Sequence, residues 1–194
     1  MKNIQKLNFI LASSSNRRIE LLRSLELYFE IIPSKVKENY NIVGSSKKIA
    51  EINSYNKAYS ISQKYKDRLV AGFDTIVVIK NKILGKPKDR DDAYKMLKML
   101  SGNKHLVITG FSIVNLEKEI KITKSVSTEV WFKNLDLDEI NWYLSTEEPY
   151  DKAGAYAIQG KGAFMVKKIN GSYTNVVGLP LTEFIETLKG LIDD

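Results

Sequence analysis

The chain predicts an α/β fold on a mixed sheet, and three observations carry that prediction. Strand-like and helix-like segments alternate through the first half. Hairpin patterns dominate the second half. One long apolar run, Leu69–Ile79, reads LVAGFDTIVVI and has strong β character through Val70, Val77, Val78 and Ile79. Such a run belongs inside a sheet covered on both faces. Its one charge is Asp74, and burying a lone carboxylate is costly unless it is paired, metal-bound or facing a wet cleft. Gly72 lets backbone or ligand approach closely just before it. From the strand alone two readings stand: Asp74 opens onto a functional site, or it is a structural acid that caps the strand or pairs with a buried lysine.

The 194 residues, 43% hydrophobic, suffice for one domain or for two lobes sharing a core. The sequence has no cysteine, which excludes disulfides and thiolate zinc sites. Its one histidine, His105, argues against a His-rich metal centre or a Ser-His-Asp triad. Chemistry therefore falls to carboxylates, Lys, Arg, hydroxyls or a hard metal ion. Lys2 and Lys6 precede a short apolar run in the order of a secretory signal. That run is too short for a signal core and leads straight to Arg17 and Arg18. No stretch approaches the roughly 20 apolar residues that span a bilayer, so the expectation is a cytoplasmic protein without membrane attachment. The formal charge of +7 has two explanations. A basic cleft attracts phosphates or nucleic acid. Alternatively the lysines are spread over a solvated surface, which the absence of any Lys/Arg block of five favours for most of them.

In chain order, residues 7–12 read as a first strand. A hydroxyl-rich turn of Ser13, Ser14, Ser15 and Asn16 follows, then a helix through Ile19, Leu22 and Leu25. That order aims helix N–H groups and the positive end of the dipole at the turn, where Arg17 and Arg18 add forks suited to phosphate. The alternative is ordinary N-capping by Ser15 beside two surface arginines. Residues 29–32 form a second strand and 33–44 a polar connection containing Glu38. Ser45 or Ser46 caps a long helix reaching about Lys66, with Ile49, Ile52, Ala58 and Tyr59 on its apolar side. Lys57 lies on this helix and by itself reads as a solvated lysine.

After the central strand, Asn81 and Lys82 turn into Ile83 and Leu84, and the loop Gly85, Lys86, Pro87 follows. Residues 89–100 read as a helix burying Ala93, Met96, Leu97 and Leu100. Residues 105–114 and 120–132 pair as a hairpin, with His105 structural, and 135–144 is a short helix with Ile140, Tyr143 and Leu144 inward. Gly and Ala are concentrated in 153–163, which permits close backbone approach to a ligand or tight packing. Lys152 and Gln159 are the polar groups available there. The spacing is neither a Walker loop nor a GxGxxG fingerprint. Residues 164–169, a turn at Asn170 and Gly171, and 173–177 read as a final hairpin, and Pro180 opens a C-terminal helix through Phe184, Leu188 and Leu191.

The ordered blocks LASSSNRR, NKA at 56–58, GFDT, GKP at 85–87, HLVITG at 105–110, EPYDKAGAYAIQG and INGSYTNVVGLPL resemble the Maf family of nucleoside triphosphate pyrophosphatases. The likeness runs from Leu11 to about Leu181. GKP alone is weak, while the last two blocks are specific. The resemblance implies an elongated, mixed-sheet α/β fold related to the inosine triphosphate pyrophosphatases, one Maf-like domain over residues 1–194, and two lobes around a central cleft. It implies hydrolysis of dTTP or UTP, and of modified pyrimidine nucleotides, to the monophosphate and pyrophosphate. A divalent cation, Mg²⁺ or Mn²⁺, and a homodimer come with it, as do roles in nucleotide house-cleaning or septum formation.

Residue by residue, Asp74 matches the family's catalytic acid. Arg17, Thr75 and Gln159 match positions that separate the dTTP/UTP subgroup from one preferring 7-methyl-GTP. Ser13, Arg18, Glu38, Lys57, Lys86 and Lys152 match other polar cleft positions. On this reading Arg17, Arg18, Lys57, Lys86 and Lys152, with Ser13, hold the phosphates. Asp74 and Glu38 ligate the metal, and Asp74, Lys57 and Lys86 serve catalysis. A carboxylate among lysines is expected to have a lowered pKa. Gln159 offers a donor and an acceptor to a pyrimidine edge. The chain departs from the family pattern at four places: Asn16 for Pro, Lys37 for Asp, Phe73 for Ala and Glu147 for Gly. Lys37 removes a carboxylate near the metal, and Phe73 is expected to alter the pocket. These departures and the charge motivate an alternative, a nucleotide- or RNA-binding regulator of cell division with little catalysis. No basic stripe or set of stacking aromatics supports stable nucleic-acid binding.

Overall fold

The structure is a computed structural model describing residues 4–41 and 43–193; Lys2 and Ile42 lie outside them. The strands are β1 (Asn8–Leu11), β2 (Tyr28–Ile31), β3 (Leu69–Ile79), β4 (Lys82–Leu84), β5 (Lys104–Asn115), β6 (Ile120–Phe132) and β7 (Val166–Asn170). The helices are α1 (Asn16–Arg23), α2 (Ser46–Ser62), α3 (Arg90–Leu100), α4 (Leu137–Leu144), α5 (Tyr173–Val177) and α6 (Leu181–Asp193). The sheet has seven strands in the order β2-β1-β3-β5-β6-β7, with β4 pairing β3 beside that path. β1 runs parallel to β2 and β3, while β3/β4 and β6/β7 are antiparallel. The fold is therefore α/β with a mixed sheet, as the alternation of elements predicts.

The chain divides into two compact units, one of Met1–Asp74, Thr109–Val126 and Gly178–Asp194, the other of Thr75–Ile108 and Ser127–Val177. In the first unit the period-two alternation of strands sorts side chains to two faces. Phe9, Leu11, Ala71, Phe73, Phe111 and Ile113 pack with Ile19 and Leu22 of α1 and with Phe184 and Leu188 of α6. Ile10, Ala12, Val70 and Val114 pack the other way, with Ala58 and Ile61 of α2.

The approach of α2 is close. A Cβ on Gly72 would fall 2.4 Å from the Ser54 carbonyl oxygen and 2.7 Å from the Ala58 nitrogen. One on Gly110 would fall 2.4 Å from the Ala50 carbonyl. Only small or slender side chains fit such an interface, and α2 buries Ala50, Asn53, Ser54, Ala58 and Ser62 there. The buried hydroxyls satisfy one another, Ser54 with Ser112 at 2.9 Å and Ser112 with Thr123 at 3.0 Å. Tyr59, expected on the apolar side, is too large for this face. It is exposed and stacks on Tyr55 instead. Ser45 caps the helix by accepting from Lys48 N. The helix ends at Ser62, short of Lys66, where tight turns close it through Lys64 N to Ile61 O and Tyr65 N to Ser62 O.

The second unit has a core of Val77, Leu84, Leu97, Leu100, Val130, Phe132, Tyr143 and Met165. Asp89 caps α3, and Asp136 with Glu139 forms a capping box on α4. His105 is buried, hydrogen-bonds the Tyr156 hydroxyl at 2.8 Å and meets Phe132 edge-on, so it serves the core. The final hairpin is corrected in its second arm: β7 pairs with β6, but Tyr173–Val177 is helical. The Ser172 hydroxyl accepts from Asn175 N at 3.2 Å, a capping contact. The buried Asn175 amide donates to Val107 O and Thr128 Oγ1 at 3.1 and 3.0 Å. These bonds override the β preference of Tyr, Thr and Val in this segment. Among the described residues no helix is long and apolar enough to cross a membrane.

Candidate active site

Asp74 closes the first unit on β3 and shares the face of Gly72, toward α2. It is 1% exposed. Asn53 and Lys57, four residues apart on α2, reach it from one helix face. Lys57 Nζ donates to Asp74 Oδ1 at 2.6 Å, to Glu38 Oε1 at 2.8 Å and to the Phe73 carbonyl at 3.3 Å. Asn53 Nδ2 donates to Asp74 Oδ2 at 3.1 Å. Tyr40 OH donates to Glu38 Oε2 at 3.1 Å. Lys57 is thus a buried cation, 12% exposed, shared by two acids. The buried ion pair considered for Asp74 is real, and a second carboxylate joins it.

The electrostatics correct one expectation. Burial pushes the Asp74 carboxyl above the usual carboxylate range rather than below it. Lys57 and Arg18 pull against that rise, and Glu38 adds to it. A carboxyl so raised is a better proton acceptor than a free aspartate. Burial, then Asp74 and Glu38, push the Tyr40 hydroxyl far up, so it stays a donor.

Arg18 belongs to the same electrostatic group. Its Nε donates to the Gly178 carbonyl at 2.7 Å and its Nη1 to Ser13 Oγ at 3.0 Å. Burial pushes its pKa down to about 10, which leaves it charged at neutral pH. The guanidinium lies over the Phe73 ring at 5.5 Å. Phe73 is fully buried with Phe111 and Phe184, because strand alternation turns it away from Asp74. It meets Arg18 from the core and does not face Asp74. Ser15 holds the N-cap position of α1 without a side-chain cap bond, and Ser13 Oγ accepts from Ser15 N at 3.3 Å instead. Arg17 is half-buried beside Arg18 on α1.

In the second unit Thr75 is the next, partly buried, residue of β3. Lys86 is exposed in its loop, and Gly85 O accepts from Gly154 N at 3.0 Å, which joins that loop to the turn after Lys152. Lys152 pairs with Asp151 and is 12% exposed. Gln159 precedes the turn Gly160–Met165. That turn hangs on Glu148, which accepts from Lys161 N at 3.0 Å, Gly162 N at 2.9 Å and Tyr143 OH at 3.0 Å. The first unit therefore gathers Ser13, Arg18, Glu38, Lys57 and Asp74 with Arg17 alongside. The second carries Lys86, Lys152 and Gln159 on neighbouring loops and turns.

Residues 8–191 match the family model described as Maf-like protein. The chain belongs to the Maf family. Among curated Maf relatives, a protein of Syntrophus aciditrophicus named dTTP/UTP pyrophosphatase is 50% identical over 94% of this chain and 89% of its own length. One of Ruminiclostridium cellulolyticum with the same name is 48% identical over 95% of this chain and 96% of its own. Among solved structures, a HAM1 protein from Coxiella burnetii superposes with a TM-score of 0.51 at 15% identity, covering 97% of this chain and 100% of that one. That likeness shows a shared fold.

Three residues that sequence reasoning passed over contact the candidate residues: Asn53 and Tyr40 bond Asp74 and Glu38 in the first unit, and Glu148 holds the turn after Gln159 in the second. The signal for Asn53 was its place one helical turn before Lys57, and for Tyr40 its place two residues after Glu38. Nothing local marked Glu148 as an anchor for the Gln159 turn. Asp74 Oδ1 and Glu38 Oε1 converge on the Lys57 ammonium, and hard oxygen donors of this kind suit Mg²⁺ or Mn²⁺ completed by phosphate oxygens. Among the described residues no group of three or more His, Cys, Asp or Glu is placed to hold a metal by itself. The residues fit an ion held jointly with a substrate.

Proposed function

We propose that this Maf protein hydrolyses dTTP or UTP between the α and β phosphates, releasing the monophosphate and pyrophosphate. The observation that carries the reading is the buried Asp74 sharing Lys57 with Glu38 beside Arg18. Relatives named dTTP/UTP pyrophosphatase over nearly the whole chain support it. A water oxygen attacks the α-phosphorus as the bond to the bridging oxygen breaks. Pyrophosphate leaves with the bonding pair, and Asp74, its proton affinity raised by burial, accepts the proton of the water. Lys57 offsets one of the two carboxylate charges that would otherwise repel a polyanion. Arg17 and Arg18, with Ser13, hold phosphate oxygens, and Lys86 and Lys152 serve the leaving pyrophosphate. Asp74 and Glu38 would hold a divalent ion, Mg²⁺ or Mn²⁺, which when bound supplies charge neutralisation at the phosphates. Thr75 and Gln159 select the pyrimidine, with Arg17 placing the phosphates. A single domain acting in the cytoplasm as a homodimer, without stable nucleic-acid binding, completes the reading.

The test is a screen of nucleoside triphosphates with pyrophosphate detection, run on the wild type and Asp74→Asn. UTP and dTTP are expected to lead the wild-type profile. The variant is expected to fold and to lose at least about 100-fold in turnover. Unchanged turnover in Asp74→Asn, or a profile led by 7-methyl-GTP, would refute the assignment.

A further inference from the structure

The role inferred for Asn53 rests on the reading above and concerns how its two acids are held. Asn53 is 2% exposed and uses its whole amide. Its Oδ1 accepts from Asn39 N at 3.0 Å, and its Nδ2 donates to Asn39 O at 3.2 Å and to Asp74 Oδ2 at 3.1 Å. The orientation has no alternative. The Asn39 N–H needs an oxygen, and both the Asn39 carbonyl and Asp74 need a donor. We propose that Asn53 is a positioning residue that fixes the Asp74 carboxylate and the Glu38 segment in one arrangement for the hydrolysis.

Lys57 links the same two acids, but through a flexible stem and a point charge, so it balances their charge without fixing their direction. Asn53 is short and planar. It grips one carboxylate oxygen directly and holds the backbone next to Glu38 by two bonds. The platform is rigid, because Gly72 and Gly110 let α2 sit on the sheet backbone with no space to shift. Removing the amide leaves Asp74 turning about its remaining bond to Lys57, and takes from the Glu38 segment its two backbone bonds to α2, so that Glu38 is held there by the flexible Lys57.

The experiment measures steady-state pyrophosphate release from UTP with Mg²⁺, together with thermal melting, for the wild type, Asn53→Leu, Asn53→Ser and Ser54→Ala. Ser54→Ala removes a buried hydroxyl bond to Ser112 one residue along the same helix. Both Asn53 variants are expected to lose roughly 10–100-fold in kcat, with KM within about threefold of the wild type. Ser54→Ala is expected to melt lower and keep its kcat. Should Asn53→Leu fail to fold, the smaller Asn53→Ser decides. Asn53→Ser with wild-type kcat overturns the positioning role alone, as does a kcat loss that follows melting temperature across all three variants. A wild type that releases no pyrophosphate from UTP or dTTP overturns the functional reading and this role with it.

Discussion

Burial sets the proton affinity of the titratable side chains inside this protein. Asp74 keeps its place through Lys57 and Asn53, and burial raises its proton affinity, the opposite of what a count of nearby lysines suggests. His105 has no such ionic partner. Burial pushes its pKa down to about 4 from 6.5. The folded protein therefore holds this ring neutral where the unfolded chain would protonate it. The stability it contributes is complete above about pH 6.5 and is lost as pH falls toward about 4. The size is about 3 kcal/mol over that interval. Urea unfolding of the wild type at pH 7.5 and 4.5 is expected to show this loss, and His105→Gln is expected to show a smaller one. Equal pH dependence in both proteins would remove His105 from the account.

At the scale of elements, α2 is the part that turns sequence into a site. Where it crosses two strand glycines its inward face is small, with Ala50, Ser54 and Ala58 against the sheet backbone and the larger Ile49 and Ile61 buried to either side. Gly72→Ala drives a methyl into the Ser54 carbonyl and the Ala58 nitrogen, which are backbone atoms that cannot rotate away. The expected cost is about 1–3 kcal/mol or more, with a loss of activity because Asn53 and Lys57 ride on the displaced helix. Gly190 on α6 meets nothing within 4 Å, so Gly190→Ala is expected to stabilise by up to about 1 kcal/mol. Denaturant melts of the two variants check the opposite signs. Most elements were legible in advance. The tight contact of α2 and the helical Tyr173–Val177 were not, since both depend on partners far along the chain.

At the scale of the whole molecule, the family match spans both compact units. The first unit supplies two carboxylates, too few for a self-sufficient metal centre among the described residues. An ion shared with the substrate contributes to turnover without contributing to folding. Chelation by EDTA is therefore expected to abolish pyrophosphate release, with recovery on excess Mg²⁺ or Mn²⁺, and to leave the melting temperature unchanged. A melting temperature that drops on chelation would mean a structural ion instead.

The amino-acid sequence by itself determined the α/β class, the core strand around Asp74 and the polar residue types from Ser13 to Gln159. Apolar periodicity and ordered motifs are local, and they survive without coordinates. Only the tertiary structure decided that Lys57 is a buried cation shared by two acids, that Phe73 belongs to the core under Arg18, and that Asn53 grips both Asp74 and the Glu38 segment. Burial and hydrogen-bond partnership are properties of neighbours in space. For Asp74 they reversed the direction of its proton affinity, because desolvation depends on everything packed around the carboxylate and not on the charges near it in the chain.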